Sequence, residues 1–149
     1  MSGFRGMAWV LAGFLYASSA FAVGFMLGSI RVMFVAPRLG ETLAVLLEAP
    51  LMLAVSWKLS GWSAGRFGVL SNFSDALLMG VIAFATLMSA EGVTAVLLFG
   101  KTVQSYFDGF ASASGMIGLL AQVCFAVFPA VQAGRGRGAL GGRRRRGTR

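Results

Sequence analysis

The chain has 149 residues, 57% of them hydrophobic and only 12% charged, with a mean hydropathy of +0.79. Soluble domains carry roughly 25% charged residues, so the polar surface that a water-soluble fold of this size needs is missing, and the length suits one domain. With no histidine and one cysteine, Cys124, an internal disulfide is excluded and a soft-ligand metal or haem site is not expected.

Four apolar runs follow in order. The first, residues 7–30, holds 24 residues without a charge. At 1.5 Å per residue it reaches about 36 Å, enough for a hydrocarbon core of roughly 30 Å. Ala20-Phe21-Ala22 has the small-x-small form of a signal-peptide cleavage site after Arg5. The apolar run continues eight residues beyond Ala22, however, and cleavage would leave a piece too short to span, so the helix is expected to stay uncleaved. The second run, 42–59, contains Glu48, Pro50 and Lys58; the third, 76–99, contains Glu91; the fourth, 111–133, has no charge.

The expected connections are residues 37–40, 60–72 and 100–109, rich in turn formers, and connections this short make neighbouring helices antiparallel. Asn72 or Ser74 is placed to cap the third helix and Gly134 to end the fourth. Gly61 and Gly65 fall in the second connection and read as flexible loop. The predicted fold is an all-α integral membrane bundle of four transmembrane helices over residues 1–133, followed by a Gly/Arg-rich tail, 134–149, expected to be disordered.

The net charge of +8 describes that tail more than the bundle. Arg135, Arg137, Arg143, Arg144, Arg145, Arg146 and Arg149 are seven of the thirteen basic residues. Basic residues near helix ends favour the cytoplasm. With both termini inside, the inner side holds ten of them and the outer side three, Arg31, Arg38 and Lys101. Trp9, Trp57 and Trp62 fall near the same inner interface, where aromatic belts form. The tail reads first as a topology and anionic-lipid segment, then as a contact for a protein partner. Nucleic acid comes last, because no aromatic residue is there to stack on bases.

Charges inside the runs are costly, about 2.5 to 3.5 kcal/mol each on insertion scales, and so should face inward and find partners. Arg31 lies eight residues before Leu39 and Glu48 nine after it, which puts the two at similar depth in a hairpin. Glu91 lies nine residues before Gly100, so all three belong to one layer. Ala17, Ala20, Gly24 and Gly28 form a stripe at three- and four-residue steps that Arg31 continues, and such stripes let helices approach closely. Glu41 and Glu48 share a face one heptad apart. Ser114, Gly118, Gln122 and Ala126 form a second small-polar stripe, with Gln122 expected deeper than the charged layer. An Arg31–Glu48 pair offsets two costs at once. Glu91 is then left to Arg38, to protonation, or to a hydrogen bond from Thr94.

The layer, Arg31, Glu48, Glu91, Arg38 and Glu41, has two readings: a clamp that fixes helix register, or a hydrated pocket whose carboxylate binds a cation or proton. Pro50 frees the carbonyl of Leu46, as a kink or as backbone lining a site. Cys124 sits mid-membrane and reads as inert packing. No nucleotide-binding or hydrolase motif occurs, and no base is in evidence beside Ser56 or Ser89. An enzyme is therefore not expected, nor any cofactor.

Three segments carry a resemblance: Gly28-Ser29-Ile30-Arg31-Val32, then Val35-Ala36-Pro37-Arg38-Leu39-Gly40-Glu41, and Leu47-Glu48-Ala49-Pro50-Leu51-Met52. With Ser89-Ala90-Glu91 and Val96-Leu97-Leu98-Phe99-Gly100, they resemble a family of small four-helix bacterial inner-membrane proteins without an assigned activity. The resemblance covers roughly a third of the chain. It implies a bacterial source and a multi-pass architecture, and no catalytic residue. Small multidrug resistance transporters share the helix count but carry their essential carboxylate in the first helix, where this chain has only Arg31. The expected function is that of a non-enzymatic accessory or scaffold subunit. It would contact the bilayer and, through its glycine faces, a membrane protein partner or a second copy. The alternative is a small transporter or channel component using the Arg/Glu layer.

Overall fold

A computed structural model describes the backbone of residues 2–146 and the side-chain surroundings of residues 7–136. The chain is 92% helical, without a strand among the described residues. Four stretches are long and apolar enough to cross a membrane: Met7–Leu39, Glu41–Arg66, Phe73–Leu97 and Ala113–Gly136. Their outward side chains are largely apolar; Leu97, Met26 and Leu120 are each about two-thirds or more exposed.

The first helix, α1 (Ser2–Ile30), does not end at Ile30. A π-helical turn, Arg31–Val35, carries it into α2 (Ala36–Leu39). Pro37 supplies the cause. It has no N–H for the carbonyl of Met33, and the ladder shifts to wider spacing, with Ala36 N–H bonded to Arg31 O. The chain then reverses at Gly40 alone, whose φ of 81° and ψ of 158° suit glycine. The expected four-residue turn at 37–40 is thus mostly helix.

The second spanning helix, α3 (Glu41–Arg66), runs seven residues past the expected end at Leu59. Gly61 and Gly65 lie inside it rather than in a loop, because Ser60, Ser63 and Ala64 on the same turns are buried. Helix α4 (Phe73–Leu97) starts at Asn72, whose side chain accepts from Ser74 N–H at 3.2 Å. The next connection holds a short helix, α5 (Val103–Asp108), capped by Thr102. Helix α6 (Ala113–Arg146) passes Gly134 without stopping. Arginine, alanine and leucine beyond it favour helix once a turn exists, against the roughly 1 kcal/mol that each glycine costs. The side chains of Arg137, Arg143, Arg144, Arg145 and Arg146 lie outside the described residues, as does Arg149.

Around the bundle, α1 packs on α3 and α4, and α6 packs on the same two. Helices α3 and α4, consecutive in sequence, therefore sit diagonally. The core gathers where the two chain ends meet the 67–72 connection. It is built from Ala12, Ala17, Ala20, Ala64, Ala76 and Ala133 around Tyr16 and Met79. Small residues allow close approach of backbones, the main source of helix association in lipid. The tightest approach is at Gly80, where a Cβ would fall on the carbonyl of Ala126. Gly13 is similar, its Cβ position 2.9 Å from Met79 O.

Candidate functional site: a polar cavity at one end of the bundle

The opposite end, bounded by Gly40 and by residues 98–112, is not closed by packing. There α1, α3, α4 and α6 surround a cavity of about 940 Å³. Its mouth carries Glu41, Lys101 and Ser112, all exposed. Its walls include Arg31, Glu48, Glu91 and Gln122, and its lining extends to Ser56 and Phe125.

Arg31 and Glu48 meet across α1 and α3, with Arg31 Nε 2.6 Å from Glu48 Oε2. The N–H is not aimed along that line, so charge proximity rather than a directed hydrogen bond holds them. The π-helical turn begins at Arg31. Both side chains keep about a fifth of their surface exposed, at 22% and 19%.

Glu91 has no cation. Arg38 does not reach it; Arg38 is exposed, and among the described residues Arg31–Glu48 is the one ion pair. Thr94 does not reach it either, because its hydroxyl donates to Ala90 O at 2.7 Å within α4. Glu91 Oε2 instead accepts from Gln122 Nε2 at 2.5 Å, across to α6. Gln122 was expected deeper than the charged layer and lies in it. The fourth apolar run begins two residues later than counted, at Ala113, and its first turn is drawn toward Gly109, where Gly115 packs on backbone. Gln122 Oε1 is buried without a partner, so the bond to Glu91 is what holds the amide.

The aromatic pair Tyr106 and Phe110 stands beside this group. The Tyr106 ring packs on Gly92, with a Cβ there 3.5 Å from Tyr106 Cε1. Its centroid lies 5.1 Å from that of Phe110, edge to face, and its hydroxyl donates to Met88 O at 3.4 Å. Burial, with the charge of Glu91 adding to it, pushes the Tyr106 hydroxyl up to about 12.

The glycine stripes turn toward this space. Gly24 meets Met52 Cε, 3.2 Å from its Cβ position, while Gly28 and Gly118 have nothing within 4 Å and line the cavity. Pro50 and Leu46 are exposed, so the carbonyl freed by Pro50 belongs to the outer face of α3 rather than to the cavity. Cys124 is exposed on α6. Among the described residues no cluster of acidic, histidine or cysteine side chains is fit to hold a metal ion.

The floor of the cavity is a neutral seal that sequence reasoning missed. Tyr16 stacks on Phe125 with centroids 4.1 Å apart, and its hydroxyl donates to Phe125 O at 3.1 Å. That carbonyl is free because Pro129, four residues on, has no N–H to give it. Below, Ser63 donates to Ala12 O at 2.7 Å, Ser60 to Gln132 Oε1 at 3.0 Å, and Gln132 Nε2 to Trp57 O at 2.8 Å. The signals were present: Ser56, Ser60 and Ser63 step by four and three along one face, and a proline follows Phe125 at the spacing that frees its carbonyl. At this end Arg66 sits over Trp62 and Arg135 over Trp57, 5.8 and 5.3 Å from the ring centroids. Comparison with known protein families, with characterised proteins and with solved structures finds no match to this chain.

Proposed function

We propose that this protein is a small multi-pass membrane transporter, or a component of one, whose polar cavity takes up a cationic solute or a proton. The observation that carries the reading is Glu91: a carboxylate without a cationic partner, on the wall of a cavity open at one end. Intramembrane carboxylates mark ion and proton paths when they face a hydrated space. The closed floor at Tyr16 and Phe125 favours a transporter over an open channel, since passage needs a second conformation in which that stack parts. The accessory-subunit reading would need a partner that enters the cavity to use Gly28 and Gly118, which line it.

We infer that both termini are cytoplasmic, from the ten-to-three distribution of basic residues and from the tryptophans at the terminal end. The cavity then opens away from the cytoplasm. A bacterial inner-membrane location rests on the family resemblance around Arg31, Pro37, Glu48 and Pro50.

The test is flux in proteoliposomes containing a pH-sensitive dye, under imposed proton and monovalent-cation gradients. Wild type should exceed empty vesicles. Glu91→Gln should fall about tenfold or more while keeping its gel-filtration profile. Equal rates in wild type, Glu91→Gln and empty vesicles would remove the proposal.

A further inference from the structure

The cavity also carries information on the class of solute, an inference that rests on the solute-binding reading above. Three carboxylates, Glu41, Glu48 and Glu91, and two cations, Arg31 and Lys101, line it. Arg31 is taken up by Glu48. Lys101 and Glu41 are exposed at the mouth, where water screens them. The ionisable group inside that lacks a partner of opposite charge is therefore Glu91, held in place by Gln122.

Two observations bear on what answers that group. Among the described residues no group of three or more ligating side chains is fit for a metal ion, so a multivalent metal has no cage. The space is also far larger than an inorganic ion needs: about 940 Å³ is in the range of pockets that enclose drug-sized organic molecules. Its walls carry Phe21, Phe25, Phe99, Tyr106, Phe110 and Phe125. Tyr106, paired edge to face with Phe110, stands over Gly92, the residue next to Glu91. Aromatic faces attract organic cations, most strongly where water is displaced. An anion finds no free positive group inside.

We propose that the cavity binds an organic monocation with an apolar body, with Glu91 as its counter-charge and the Tyr106–Phe110 pair against its apolar surface. The binding contact is the carboxylate of Glu91, and Gln122 is a positioning residue.

The experiment is equilibrium binding to the purified full-length protein in lipid nanodiscs, using tetraphenylphosphonium and tetraphenylborate. These probes have nearly the same size and shape and opposite charge, so partition into lipid is separated from recognition of charge. The expected result is saturable binding of tetraphenylphosphonium alone. Glu91→Gln should weaken it by about tenfold or more, Glu91→Asp should retain it, and Phe110→Ala should weaken it by about threefold. Glu91→Asp also guards against misreading a folding defect, since it keeps the charge while altering the packing. Saturable binding of both probes, or equal affinity in wild type and Glu91→Gln, overturns the proposal. So does the absence of saturable tetraphenylphosphonium binding. If that absence is found while proteoliposome flux still depends on Glu91, the organic cation is excluded and the transport reading stands.

Discussion

The two halves of this bundle use the same four helices to opposite ends. In the terminal half, alanines and glycines bring backbones together, and three polar side chains of the core are answered by neutral groups: Tyr16 by Phe125 O, Ser63 by Ala12 O, Ser60 by Gln132. In the Gly40 half the same helices stand apart, and the polar side chains include ionisable ones. Arg31 has a partner of opposite charge and Glu91 has only an amide. The contrast shows what small residues do. Gly80 and Gly13 are glycine because a neighbour's atoms occupy the place of a side chain; Gly28 and Gly118 are glycine beside empty space.

The largest expected effect therefore separates those glycines. Gly80→Leu should cost about 3 kcal/mol or more, since backbone cannot move aside as a flexible side chain does. Gly118→Leu should cost less than about 1 kcal/mol, because the cavity has room for it. Thermal unfolding followed by gel filtration in detergent reads both. Equal losses would mean that the two halves are packed alike.

Next comes the ion pair. Arg31→Ala leaves Glu48 alone and should cost about 2 kcal/mol, less than a fully buried pair because both side chains keep some contact with the cavity. Arg31→Ala combined with Glu48→Ala should recover part of the loss in a denaturation series. No recovery would remove the coupling and, with it, the register-clamp role. In the sealed half Tyr16→Phe leaves the Phe125 carbonyl without its donor and should cost about 1 kcal/mol. It should also raise proteoliposome leak, because the seal keeps its stacked rings and loses the bond that fixes them. Smallest of all, Glu91→Gln should change the melting temperature by less than about 2 °C while lowering the proposed flux by about tenfold or more, since an amide still pairs with Gln122. A large loss of stability in Glu91→Gln would make Glu91 a structural residue.

Much of the architecture was legible because hydropathy and charge counting act over whole helices. The four apolar runs and the equal depths of Arg31 and Glu48 follow from residue counts from a turn. What counting cannot supply is how a helix end behaves when a tertiary contact continues it. Helix α3 outran its hydropathy because Ser60, Ser63 and Ala64 are buried against α1 and α6, although their residue types look like loop. The turn at 37–40 became helix because Pro37 was absorbed by a π-helical turn instead of ending α1. The Glu91–Gln122 bond was obscured by a shift of two residues in the start of α6, enough to place Gln122 at the wrong level. The Tyr16 seal depends on a carbonyl released by Pro129; the proline spacing marks the free carbonyl, but nothing local names its distant donor.

The central claim is that one half is open to water and the other closed, and cysteine accessibility tests it most directly. In a Cys124→Ser background, Gly28→Cys and Gly118→Cys should react rapidly with a charged, membrane-impermeant thiol reagent added from one side of the membrane. Ala64→Cys, in the sealed half, should stay unreactive from both sides. Fast reaction at Ala64→Cys, or none at Gly28→Cys and Gly118→Cys, would contradict the division on which the cavity, its cation and its seal all depend.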